Sequence, residues 1–439
     1  LDLCLVMAAR FPVTVHSVGG NLLTHIDATG SELICDVKAL LEATADCPAL
    51  YQRLIAEGRE LREDRSVAEE LRGACTAQGG ARVQLVRTPP EQNSLWRLTS
   101  DDLRLASYCV KCLSRADQVN DLDCQGQTVL HNAARRGLSS VLEAILNLKE
   151  FCLVNARDGG GRTALHLAAM QQNADVATLL LERMDSAAIN ARDDSGSTAL
   201  HIAIACSMTD VYDVLLGCRS FAALDACDAG QRTALHIAAL RGNVQASQLI
   251  LQRPGFSALA SQDQGGRTAL HQAAVLGHAD VCAAILSSCD ASTLHSLDDD
   301  GKTALHYMAQ RNMADLVEAV LCRPDFLAAD VQSRSGGTVL HWAAWEGHVD
   351  VCCRILRSPR FLAVNTEGTA GRLGGTALHW AARAGHADVC KVLARHPSFT
   401  ALHSPDLNGH TALECALASC HQAAAATISA ALAEREAWQ

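Results

Sequence analysis

A threonine recurs at Thr128, Thr163, Thr198, Thr233, Thr268, Thr303, Thr338, Thr376 and Thr411, with a step of 35 residues in every interval but one, which is 38. Two residues after each stands a leucine, from Leu130 to Leu413, and three after stands a histidine, except at Glu414. The stretch at 265–278, Gly-Gly-Arg-Thr-Ala-Leu-His-Gln-Ala-Ala-Val-Leu-Gly-His, is one copy of this unit. A unit this short cannot bury its own apolar face and must stack on its neighbours. Nine copies therefore predict an extended stack of small modules.

Each module reads as a turn and two helices. Aspartate stands five before the threonine at Asp123, Asp158, Asp193, Asp228, Asp263, Asp298 and Asp406, and with a nearby glycine it predicts a β-turn. The threonine suits a helix N-cap, and the Leu and two Ala that follow make a narrow packing face. Gly137, Gly242, Gly277, Gly347 and Gly385, nine after the threonine, fit a helix stop. A second helix follows, with apolar residues such as Val349, Cys352, Ile355 and Leu356 at helical spacing. The pattern Asp-x-x-Gly-x-Thr-x-Leu-His-x-Ala-Ala resembles the ankyrin repeat, whose period is about 33 residues, over roughly 120–430 of the chain. The family carries proline after the threonine; here alanine or valine stands there, which keeps the helix. Gln172, Ser207, Asn312 and Cys420 replace the helix-ending glycine and predict strain or a changed exit angle.

The longer period falls after the second helix, where phenylalanine recurs 23 residues past the threonine at Phe151, Phe221, Phe256, Phe326, Phe361 and Phe399. Proline stands two before it at Pro254, Pro324, Pro359 and Pro397. Burying each ring would contribute about 1.5–3 kcal/mol, enough to pin the longer loop to the stack.

Residues 11–88 do not follow the repeat. Phe11 to Val18, a Gly-Gly-Asn turn and Leu22 to Thr29 predict a hairpin, Glu32 to Ala43 a helix, Cys47 to Leu61 a turn and two short strands, and Ala81 to Thr88 a closing strand. That order, with Gln-Arg-Leu-Ile-x-x-Gly-x-x-Leu at 52–61, is similar to ubiquitin. The resemblance implies a small α+β β-grasp domain, with Ile55 on ubiquitin's hydrophobic recognition patch and Val18 and Val86 near its other members. These three are read either as that patch or as half-exposed strand residues. Arg87 is followed by Thr-Pro-Pro rather than Gly-Gly, so the implied role is a fused docking module, not a conjugated tag.

The expected organisation is an N-terminal segment (1–10), a ubiquitin-like domain (11–88), a linker (89–100), a helical cap (101–120), nine ankyrin repeats (121–420) and a capping helix (421–439). The first ten residues are too short for a secretory signal. The net charge of -11 leaves no basic footprint for nucleic acid, and no apolar run is long enough to span a membrane. Nineteen cysteines without a disulfide framework predict reduced thiols in the cytoplasm or nucleus.

No catalytic set emerges. Gly301-Lys302-Thr303 ends like a phosphate loop, but Ser296 stands where that motif needs glycine. Cys109 and Cys112 form a CxxC pair near Cys124 and define a metal or redox alternative, though a fourth ligand for zinc is missing. The repeat histidines match the structural histidine of the ankyrin unit. By resemblance, binding falls to the turn tips and to positions seven and eight past each threonine: Arg135 and Arg136, Met170 and Gln171, Ala205 and Cys206, Leu240 and Arg241, Val275 and Leu276, Gln310 and Arg311, Trp345 and Glu346, Arg383 and Ala384. Tyr307, Trp342 and Trp380 either border that groove or pack between repeats. Thr366 to Gly375 lengthens one tip beside them. The expectation is a monomeric, non-enzymatic scaffold or adaptor that needs no cofactor and binds one or more proteins, with the ubiquitin–proteasome pathway as the alternative setting.

Overall fold

The computed structural model describes residues 119–368 and 374–436, and the backbone of five strands between Arg10 and Arg87. The chain divides into two compact units, Leu1–Met184 and Asp185–Gln439.

In the first unit, strands β1 (Arg10–His16), β2 (Leu22–Thr29), β3 (Gln52–Ala56), β4 (Arg59–Glu60) and β5 (Ala81–Arg87) form one sheet in the order β2-β1-β5-β3-β4. β1 pairs antiparallel with β2, from Arg10 opposite Thr29, with a register shift between Val15 and His16. β1 runs parallel to β5, so the chain must cross over between them. Ile55 stands opposite Glu60 and Gln84, and Val86 opposite Arg53. Val18, the expected helix at 32–43, the linker, all but the last two residues of the expected cap, and the Cys109/Cys112 pair lie outside the described residues. Among the described residues this unit also holds two helix pairs, Val129–Arg136 with Ser139–Leu146, and Ala164–Met170 with Ala174–Arg183.

The second unit stacks seven further pairs. Their first helices are Ala199–Ala205, Ala234–Arg241, Ala269–Leu276, Ala304–Gln310, Val339–Glu346, Ala377–Ala384 and Ala412–Ala418. Their second helices run from Thr209–Gly217 to the terminal Gln422–Glu436. All nine first helices begin at the register threonine with a capping box. In eight the N3 partner is histidine; in the last it is Glu414, whose Oε2 accepts from the Thr411 amide at 2.7 Å. The mixed small and branched face then buries completely: Ala269, Leu270, Ala273 and Ala274 are at most 1% exposed. Ala at these positions lets neighbouring first helices approach closely without leaving voids.

Within each unit the histidine also ties its repeat to the next, at His131 in the first and at His201, His236, His271, His306, His341 and His379 in the second. His271 Nδ1 accepts from the Thr268 amide at 3.2 Å, while Nε2 donates to the Lys302 carbonyl at 3.1 Å. Because the backbone amide requires Nδ1 as acceptor, the neutral Nε2–H tautomer is the one that satisfies both bonds. Burial holds His271, His306 and His341 down to about 4.

The helix stops are left-handed. Gly347 has φ +81°, and a Cβ there would sit 2.5 Å from His386 Nδ1. His386, ten past its threonine, reaches back over that glycine to donate Nε2–H to the Trp345 carbonyl at 2.9 Å. Gln172, Ser207, Asn312 and Cys420 keep the same backbone at φ 58–60°, so they store strain and preserve the exit.

The loop phenylalanines are buried at Phe151, Phe221, Phe326, Phe361 and Phe399, whereas Phe256 is only half-buried. Neighbouring repeats also hold these loops by polar ties. Arg323 donates to the Leu286 and Cys289 carbonyls at 3.0 and 2.9 Å, and Arg253 to those of Cys218 and Phe221 at 3.0 and 3.3 Å. Asp330 accepts from the Leu362 and Ala363 amides at 2.8 and 2.9 Å.

Candidate functional site

The last turns of the first helices in the second unit carry the expected binding residues. Leu240, Val275, Gln310 and Trp345 are half-buried there, and Arg241, Leu276, Arg311 and Glu346 are exposed, Leu276 at 47%. A helix of eight residues that ends in a left-handed glycine must present positions seven and eight outward, because Ala at five and six is spent on packing. Neighbouring turns are joined by polar contacts. Arg311 Nε donates to the Val275 carbonyl at 2.8 Å, Gln310 Nε2 donates to Glu346 Oε1 at 3.0 Å, and His348 Nε2 donates to the Gln310 carbonyl at 3.0 Å.

Two of the residues read as bordering this strip or packing between repeats, Trp380 and Tyr307, are buried, and the strip residue Arg383 is engaged by its neighbours. Trp380 is fully buried, with its ring edge-to-face with His341, Trp342 and Trp345 at 5.1, 5.5 and 6.1 Å between centroids. Tyr307 is buried, and its hydroxyl donates to Asp298 Oδ2 at 2.5 Å. Burial and this bond to a carboxylate raise the phenol above its ordinary range. Arg383 is half-buried and is tied to the Gly374 carbonyl at 2.9 Å and to Asp406. Burial opposes the charge on Asp406, yet the amides of His410 and Asn408 and the Arg383 guanidinium hold its carboxyl down to about 2. Trp342 is half-buried beneath Lys302, whose Nζ lies 3.7 Å from its ring centroid and 4.9 Å from that of Tyr307. Such stacking is worth about 0.5–2 kcal/mol. Burial lowers the Lys302 ammonium. Of the two placements the spacing left open for these rings, bordering the groove or packing between repeats, Tyr307 and Trp380 take the second.

One member of this layer lacks its partner. In the preceding repeats the tip aspartate serves the residue nine later: Asp263 accepts from Gln272, and Asp298 from Tyr307. The next repeat has Ser333 in that position. Its hydroxyl is engaged with Ser335 at 2.8 Å and the Gly337 carbonyl at 3.0 Å, and Trp342 Nε1 is buried without an acceptor. The missing aspartate was visible as a gap in the turn series, but its consequence needed the indole's placement.

Among the described residues there is no group of three or more His, Cys, Asp or Glu placed to hold a metal, and no helix long and apolar enough to cross a membrane. An open groove between second helices, lined by Val349, Asp388, Lys391, Val392 and Arg395, carries no reacting pair.

No curated protein matches the chain. The family model for ankyrin repeats, in blocks of three copies, matches residues 142–225, 218–295, 284–366 and 360–432 in succession. The matched span is most of the chain, and its turn, capped first helix and returning second helix are those described above. The chain belongs to the ankyrin repeat family, whose repeats are protein-interaction modules.

Proposed function

We propose that the protein is a non-enzymatic scaffold whose second unit grips a client protein through the last turns of its first helices, at Leu240, Arg241, Val275, Leu276, Gln310, Arg311, Trp345 and Glu346. The observation that carries this reading is that large apolar and cationic side chains stand outward at positions seven and eight, on helices whose other faces are consumed by packing. Aromatic and arginine side chains on a rigid support are the types that dominate binding energy. The test is site-specific photocrosslinking in native cells with p-benzoylphenylalanine at Leu276, and at the exposed second-helix residue Gln248 as control. Protein adducts from Leu276 and none from Gln248 support the reading; equal or absent adducts at both reject it.

A second docking module accompanies it on this proposal. The strand order β2-β1-β5-β3-β4, with β1 and β5 parallel, favours a β-grasp domain of the ubiquitin type and an adaptor role near ubiquitin-binding proteins. Binding of the full chain to an immobilised ubiquitin-binding domain, lost on Ile55→Ala, is the expected result; binding unaffected by Ile55→Ala removes this arm. The free thiols among the described residues favour a reducing compartment, cytoplasm or nucleus.

A further inference from the structure

The proposal that follows rests on the scaffold reading above and gives the client a chemistry. Within the strip, Arg311 is held in place by a single bond: its Nε donates to the Val275 carbonyl at 2.8 Å, at the end of the preceding first helix. Its two Nη groups have no carboxylate within 4 Å among the described residues, and the same holds for the exposed Arg241. Five other arginines of this unit are neutralised, Arg232 by Asp228, Arg323 by Asp325, Arg354 by Asp315 and Glu318, Arg383 by Asp406, and Arg395 by Glu434, while Arg253, Arg360 and Arg435 are spent on backbone carbonyls. The strip's own carboxylate, Glu346, is bonded to Gln310 instead.

An arginine anchored through Nε is a fork already aimed. The two free Nη edges match a carboxylate bidentately, and the fixed Nε lowers the ordering cost that a free arginine side chain would incur on binding. On the preceding first helix stand Val275, half-buried, and Leu276, 47% exposed, and on the following one Trp345. A fixed cation next to an exposed apolar step selects a segment that carries the complementary pair.

We propose that the strip binds a peptide segment of its client in which an aspartate or glutamate flanks a large apolar side chain, the carboxylate seating on Arg311 and the apolar group on Val275 and Leu276. Arg241, one repeat before Leu276 and two before Arg311, extends the same preference along the segment.

The test is panning of a phage-displayed random 12-residue peptide library on the full chain, followed by fluorescence anisotropy of the enriched peptides. Enriched sequences are expected to place Asp or Glu beside Leu, Phe or Trp. Their affinity should fall about tenfold or more with Arg311→Gln, less with Arg311→Lys, which keeps the charge without the fork, and equally when the peptide's own acid is made an amide. Circular dichroism should show both variants folded, since the residue is exposed. Enriched peptides without acids, or peptides indifferent to Arg311→Gln but lost with Leu276→Ser, overturn the carboxylate assignment and leave the scaffold reading standing. Peptides indifferent to both substitutions, or no enrichment at all, overturn the two together.

Discussion

Replacing Ser333 by aspartate should stabilise the protein, and the size of the effect can be worked from the repeat beside it. There Asp298 Oδ1 accepts from the amides of Asp300 and Lys302 at 3.0 and 2.9 Å, while Oδ2 accepts from Tyr307. Ser333→Asp offers the same acceptors to the Ser335 and Gly337 amides and to Trp342 Nε1, which is now buried and unpaired. An unsatisfied buried donor costs about 1–3 kcal/mol, and a hydrogen bond to a charged acceptor returns about 1.5–3 kcal/mol. Against this stands the cost of desolvating the carboxylate, which Lys302, stacked on the same indole, reduces. A net gain of about 1–2 kcal/mol follows. The assay is urea unfolding of the full chain followed by tryptophan fluorescence, to which the cluster of Trp342, Trp345 and Trp380 contributes three of the five indoles. Trp342→Phe completes a double-mutant cycle: alone it should cost little, because it deletes a donor without a partner, but in the Ser333→Asp background it should abolish the gain. A zero coupling energy, or destabilisation by Ser333→Asp alone, would refute the reasoning.

Four further outcomes are expected. The buried histidines have folded pKa values below the unfolded 6.5, about 4 at His271, His306 and His341, so the unfolded chain binds more protons between those limits. Stability should be fully present above pH 6.5 and fall steadily as pH drops toward 4; a urea midpoint unchanged between pH 7 and 5 contradicts this. Gly347→Ala, whose Cβ would meet His386, should cost about 1–2 kcal/mol more than Gly277→Ala, which has the same left-handed backbone and open space around it, by the same urea titration. Trp380→Ala should cost about 3–5 kcal/mol and the half-buried Trp345→Ala much less, read from thermal midpoints. Arg323→Ala, which strips donors from the Leu286 and Cys289 carbonyls, should cost about 1–3 kcal/mol and first loosen the Ala291–His295 segment in hydrogen exchange.

The periodic part of the molecule was legible because each demand on it is local. Threonine as cap, histidine at N3, aspartate at the turn and a left-handed stop are settled within one module, so they read directly from spacing. The strip at positions seven and eight came from the family resemblance rather than from spacing, and the structure gives only its exposure. Contacts between modules were not legible. Nothing in the period decides that Trp380 is fully buried while Trp342, at the same position one repeat earlier, and Trp345, three residues further along that helix, are left half-exposed. The arginine clamps on the loops escaped as well, although Arg253 and Arg323 each precede a loop proline, a regularity the phenylalanine series hid. Phe256 shows the limit of the series itself, since the same position and the same preceding proline leave it only half-covered.

The reach of His386 over Gly347 to the Trp345 carbonyl, and of the register histidines within each unit to the following turn, fixes how such a chain can change size. Loss or gain of a whole module lets every severed tie find an equivalent mate in the new neighbour, whereas an insertion inside a helix would misalign all of them at once. The turn tips are spared this rule: the interval of 38 residues spends its extra length at 366–375, and at its edges the Gly368 amide donates to the Gly375 carbonyl at 2.9 Å. Growth by entire modules and variation at the fingertips are thus the two routes open to this lineage of sequences.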